Sequence, residues 1–241
     1  MRSKLRGWSF RNLFILISSL LVLYIFINYE RSNDIPEATD LQIEKEPIKE
    51  EMQFIVEMDN LFNDIKHLGY NYYLSFDLWG RASEFSKVFS EDSDGRFQEN
   101  WGRFLTIEAK RKGIDPFLVY ELLKVETGGT FDPYLVGPQT VYGQAYGLAQ
   151  FMENTGPWIA GMADLEYDLQ FLFDPYFSIQ LCIVYLDFLY KLYEDWNHAL
   201  TAYHRGIYGL EEYIEENGNA ESWYALEIIS NAKGHELVLN N

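Results

Sequence analysis

One carboxyl stands apart because of the residues around it. On a helical wheel at about 100° per residue, the segment Pro116–Glu126 puts Val119, Leu122 and Leu123 on one apolar arc, and Glu126 projects from the middle of that arc. Glu121 and Lys124 fall on the opposite, polar side. Gly128-Gly129 then breaks the helix, so the carboxyl occupies its last turn. Desolvation disfavours a carboxylate, and so does the partial negative charge at a helix C-terminus. The expected result is a raised pKa. A carboxylic acid that keeps its proton near neutrality can protonate a leaving oxygen, as glycosidic cleavage requires. The same position also suits a structural role, in which Glu126 accepts a capping hydrogen bond from the following loop, and the helix alone leaves both readings open.

Other chemistries find little support. His67, His198, His204 and His235 are scattered, with no HExxH pattern and no cysteine pair, so no metal site is expected. The glycine-rich run 143–147 lacks the Lys-Ser or Lys-Thr of a phosphate loop, and no cofactor is implied. The lone Cys182 lies in Leu181-Cys182-Ile183-Val184 and reads as a small buried hydrophobe rather than half of a disulfide. The formal net charge of the 241 residues is -18. Residues 1–29 carry Arg2, Lys4, Arg6 and Arg11 without an acid, which leaves 15 of the 19 bases against all 37 acids in the remainder. A body so acidic repels nucleic acid.

The elements that must position Glu126 follow from punctuation and periodicity. Residues 13–27 are uncharged and apolar apart from Ser18 and Ser19, and neither a small-x-small cleavage pattern nor a lipid-accepting cysteine follows them. Residues 1–29 are therefore expected to be a cytoplasmic basic end and a single retained transmembrane helix, with the rest of the chain outside a bacterial cell membrane. Residues 30–52, rich in Glu, Asp, Lys and Pro, read as an acidic linker. Within 53–95, Phe54, Met58, Leu61, Phe62 and Ile65 recur at helical spacing ahead of an aromatic-rich stretch, which predicts accessory helices and then a loop at 90–95. In 96–241, Asp115-Pro116 and Asp174-Pro175 are helix starts, the second opening a long apolar helix that ends near Tyr193. Shorter helices are predicted around 198–204 and 209–216. No alternating strand pattern stands out, so the fold is expected to be mainly α.

From Glu126 to about Gly206 the residues resemble the lysozyme-like catalytic domain of soluble lytic transglycosylases. That family carries Glu-Ser at a helix end, then Gly-Leu-Met-Gln, then Ala-Tyr-Asn with a nearby Gly. This chain has Glu126-Thr127, Gly147-Leu148-Ala149-Gln150 and Ala202-Tyr203-His204-Arg205-Gly206, in the same order. Phe131-Asp132-Pro133 stands where the family has an aromatic-Asn-Pro turn. The resemblance implies a peptidoglycan glycan strand as partner, Glu126 as general acid and then base, Gln150 with Gly147, Leu148 and Ala149 lining the sugar site, and Tyr203 orienting Glu126. It also places Thr127 and His204 at the substrate. The bond cut would join N-acetylmuramic acid to N-acetylglucosamine, and the muramic 6-hydroxyl would close a 1,6-anhydro ring. Thr127 for Ser keeps the hydroxyl, Ala149 for Met removes a flexible side chain from the cleft floor, and His204 for Asn exchanges an amide for an imidazole. A goose-type lysozyme-like hydrolase, with Asp132 or another acid positioning water, and a catalytically silent wall-binding scaffold are the competing readings.

Overall fold

A computed structural model describes residues 46–68 and 76–239. The segment 13–27, read above as a membrane anchor, lies outside the described residues, as does most of the acidic linker. No helix among the described residues is long and apolar enough to cross a membrane. The chain divides into two compact units, Met1–Met52 and Gln53–Asn241. Of the first, only the opening turns of one helix are described.

Among the described residues, eight α-helices and one short ribbon follow in order: α1 (Glu46–Ile65), α2 (Phe76–Asp92), α3 (Glu99–Lys112), α4 (Pro116–Glu126), β1 (Ala145–Tyr146), β2 (Phe151–Met152), α5 (Gly156–Met162), α6 (Pro175–Tyr193), α7 (Trp196–Asn217) and α8 (Trp223–Leu239). Helix α1 begins inside the stretch read as linker, because Pro47 in a first turn is compatible with a helix as well as with a tether. The ribbon pairs Ala145 with Met152 and Tyr146 with Phe151. Two-residue strands are too short to show an alternating pattern, which is why the sequence reading found none.

The helix starts hold by side-chain capping. Asp115 accepts from Phe117 N at 3.1 Å, Asp174 from Tyr176 N at 2.8 Å and Phe177 N at 3.3 Å, and Asp195 from His198 N at 3.0 Å. Pro116 and Pro175 occupy first-turn positions where no amide hydrogen is needed. Helix α6 is buried on nearly every side from Tyr176 to Leu186 and runs through the core, so its continuous apolar sequence reflects enclosure by protein. Helix α7 is broken at Gly206, whose φ of 77° and ψ of 165° no helix allows. The two shorter helices expected on either side of that glycine are its two halves.

The accessory region shares this core. Phe89 of α2 stacks on Tyr120 of α4 at 4.5 Å and meets Phe97 and Phe117 edge-on, while Leu61, Ile65 and Trp79 are buried in the same apolar cluster. Each of these rings removes a large apolar surface from water, the dominant favourable contribution to folding. Helix α4 is correspondingly enclosed on all sides from Pro116 to Leu123. The opposite, polar side of the wheel is enclosed as well: the Glu121 carboxyl is fully buried, 2.7 Å from His235 Nε2 and 3.1 Å from Asn231 Nδ2 of α8, with Lys124 Nζ at 3.4 Å. The wheel ranks only the residues of its own helix, and a later helix covered that side.

Candidate active site

Glu126 ends α4, where the chain must turn sharply. Gly128 and Gly129 supply left-handed φ values of 57° and 74°, and Gly129 N closes the helix on Lys124 O at 2.7 Å. Thr127, also buried, donates its hydroxyl to Leu123 O at 2.8 Å and accepts from Phe131 N at 3.2 Å. Its oxygen thus ties the helix end to the next loop. The carboxyl of Glu126 accepts a 2.5 Å hydrogen bond from the phenol of Tyr224, a fully buried residue in the first turn of α8. Burial drives the pKa of Glu126 up to about 7, against the lowering effect of the Tyr224 bond. No second carboxylate contributes to that shift.

Behind the carboxyl, Tyr203 and Cys182 couple electrostatically to Glu126, and burial raises the pKa of both, so they remain neutral. Tyr203 donates its own proton to Ala149 O at 3.0 Å. The phenol hydrogen-bonded to Glu126 is Tyr224, whereas Tyr203, to which the resemblance assigns the orienting of the acid, bonds the Ala149 carbonyl. Cys182, fully buried, helps desolvate the acid.

The loop 147–150 is built from its backbone. Gly147 has a φ of 74°, and a Cβ there would meet Leu172 O at 1.9 Å, so only glycine fits. Leu148 and Ala149 are fully buried, which places the Ala149 side chain in the core and not on the cleft floor. Gln150 adopts a left-handed φ of 49°, and its amide nitrogen donates to Gly147 O at 2.8 Å and Leu135 O at 3.3 Å. Both protons of that amide are committed to the loop. Asp132 is exposed and accepts from Tyr134 N at 2.9 Å, which makes it a turn residue. His204 is exposed, lies flat on the ring of Tyr224 at 4.7 Å, and has its pKa lowered by partial burial and by Arg205.

The transglycosylase SLT domain model matches residues 104–226, just over half of the sequence. The chain belongs to the transglycosylase SLT domain family. No curated protein sequence matches it. Among solved structures it is similar to an inactive mutant of lytic transglycosylase Slt from Pseudomonas aeruginosa, at 17% identity over 68% of this chain and 30% of that one, with a TM-score of 0.46. The chain therefore spans under a third of the length of that structure.

Two features of the structure are not legible in the sequence. Tyr224 is one of 18 tyrosines, and nothing in its spacing marks it. A partial signal was the preceding Ser222, which caps α8 by accepting from Ala225 N at 3.2 Å and so marks Tyr224 as a first-turn residue. The second is the polar cluster of exposed Asp92, buried Glu121 and half-buried His235, whose ligating atoms fall within 4.8 Å of one another. Lys124 supplies a cation to it, 2.6 Å from Asp92 and 3.4 Å from Glu121, and lowers the pKa of Asp92 against the pull of burial.

Proposed function

We propose that this SLT domain is a peptidoglycan lytic transglycosylase that cleaves the bond between N-acetylmuramic acid and N-acetylglucosamine. Glu126 gives its proton to the glycosidic oxygen as that bond breaks. The resulting carboxylate then takes the proton of the muramic 6-hydroxyl, whose oxygen bonds to C1 and closes the 1,6-anhydro ring. The observation that carries this reading is the half-buried carboxyl at the end of α4, with its pKa raised by burial to about 7 and a phenol hydrogen-bonded to it. One group can then serve as acid and as base at neutral pH. A two-carboxylate hydrolysis needs a second acid about 5–9.5 Å away, whereas Asp132, the candidate for that role, accepts the Tyr134 amide in a turn.

The substrate lies outside the cytoplasm, in keeping with the uncharged segment 13–27 behind four basic residues. Membrane fractionation tests this, with the full chain expected in the pellet and residues 30–241 in the supernatant. The reaction itself is tested by mass spectrometry of purified peptidoglycan treated with the chain. Anhydromuropeptides are expected. Reducing ends in their place would show hydrolysis, and intact glycan with undiminished binding would show a scaffold.

A further inference from the structure

Three aromatic rings meet beside the candidate acid. His204 and Tyr224 are stacked with planes 7° apart, and Trp223 stands edge-on to both, 5.6 Å from His204 and 5.8 Å from Tyr224. The innermost ring, Tyr224, is 1% exposed and carries the hydroxyl that reaches Glu126. The outer two face water, with Trp223 57% exposed. Single exposed apolar side chains are ordinary on protein surfaces. This one is set apart by its place one ring beyond the residue that holds the acid, and by the rigidity of its support.

That support is a pair of buried hydroxyls. Thr201 donates to Ala220 O at 2.8 Å, so the 2.7 Å contact between Thr201 and Ser222 uses the proton of Ser222. Both residues are fully buried. Ser222 immediately precedes Trp223, and Thr201 lies on α7 three residues before His204. One interaction therefore fixes the backbones that carry both exposed rings, and a binding surface gains most when its side chains stand on elements already held in place.

We infer that Trp223 and His204 form a stacking subsite next to Glu126 that takes the C–H face of one pyranose ring in a β-1,4-linked N-acetylhexosamine strand. The inference rests on the glycan-cleaving reading, because an acid that protonates a glycosidic oxygen sits between two sugar rings, and each must lie close to the carboxyl. A pyranose offers a face of axial C–H groups that suits an indole, and its rim of hydroxyl and acetamide groups suits an imidazole that can donate or accept.

The test uses the full chain carrying Glu126→Gln, so that no strand is cut, and the soluble β-1,4-linked hexamer of N-acetylglucosamine as probe in titration calorimetry. Trp223→Ala should weaken binding about tenfold, the scale of one lost ring-stacking contact. His204→Ala should weaken it less, and Trp223→Phe should recover part of the loss. In the cleaving chain, Trp223→Ala should raise KM by a similar factor, leave kcat within about twofold, and leave the pH profile in place. Hexamer affinity and KM unchanged by Trp223→Ala would overturn the subsite. So would a shifted pH profile at constant KM, which would mean that the rings only shield the Tyr224 and Glu126 pair. Absence of hexamer binding to the Glu126→Gln chain would overturn it as well. Binding that depends on Trp223 in a chain that releases no product would uphold the subsite and refute the catalytic reading.

Discussion

Removing one oxygen from Tyr224 should change the chemistry in a signed way. Its hydrogen bond to Glu126 stabilises the carboxylate, and so lowers a pKa that burial has raised to about 7. In Tyr224→Phe the bond is lost while burial remains, and the pKa of Glu126 moves further up. The first step needs the protonated acid, so kcat/KM of the parent should fall as pH rises through about 7, and the variant's fall should come at higher pH. Its maximal rate should still be lower, roughly tenfold or more, because a hydrogen bond to a charged group is lost and the carboxyl is no longer aimed. A pH–rate profile of both proteins checks the two effects together. An unchanged limb would mean that Tyr224 packs against Glu126 without holding it.

Helix α8 connects the site to the rest of the structure. It runs antiparallel to α4, since Tyr224 at its start meets Glu126 at the end of α4, and Asn231 and His235 further along meet Glu121 near the middle. Glu121→Ala would leave those partners and Lys124 without their buried acceptor, at a cost of about 3 kcal/mol by analogy with breaking one side of a buried ion pair. Urea unfolding should show a lower midpoint with the slope unchanged. A midpoint within about 0.5 kcal/mol of the parent's would mean that the cluster is not what docks α8. None of this was legible along the chain, because Glu121 and His235 are 114 residues apart and a helical wheel records no neighbour outside its own helix. The helix boundaries were legible for the opposite reason. Asp115-Pro116, Gly128-Gly129 and Asp174-Pro175 act on their own turns, and the break at Gly206 needs only one left-handed residue.

At the scale of the molecule, the fold brings two tyrosines, a cysteine and a helix end around one carboxyl. The raised pKa of Glu126 was legible in the sequence because its place in the last turn is local to α4, and the bond from Tyr203 to Ala149 joins two of the motifs. Which phenol touches the acid, and which side chains of that loop stay buried, depends on how α6, α7 and α8 close over the site, and no spacing encodes that. The most direct measurement is the rate of anhydromuropeptide release from purified glycan strands against pH, for the parent and for Glu126→Gln. Cleavage with Glu126 as the one catalytic acid predicts a parent rate that declines as pH rises through about 7, and a variant at least about 100-fold slower throughout. A Glu126→Gln chain that releases the same product at the parent's rate would contradict it.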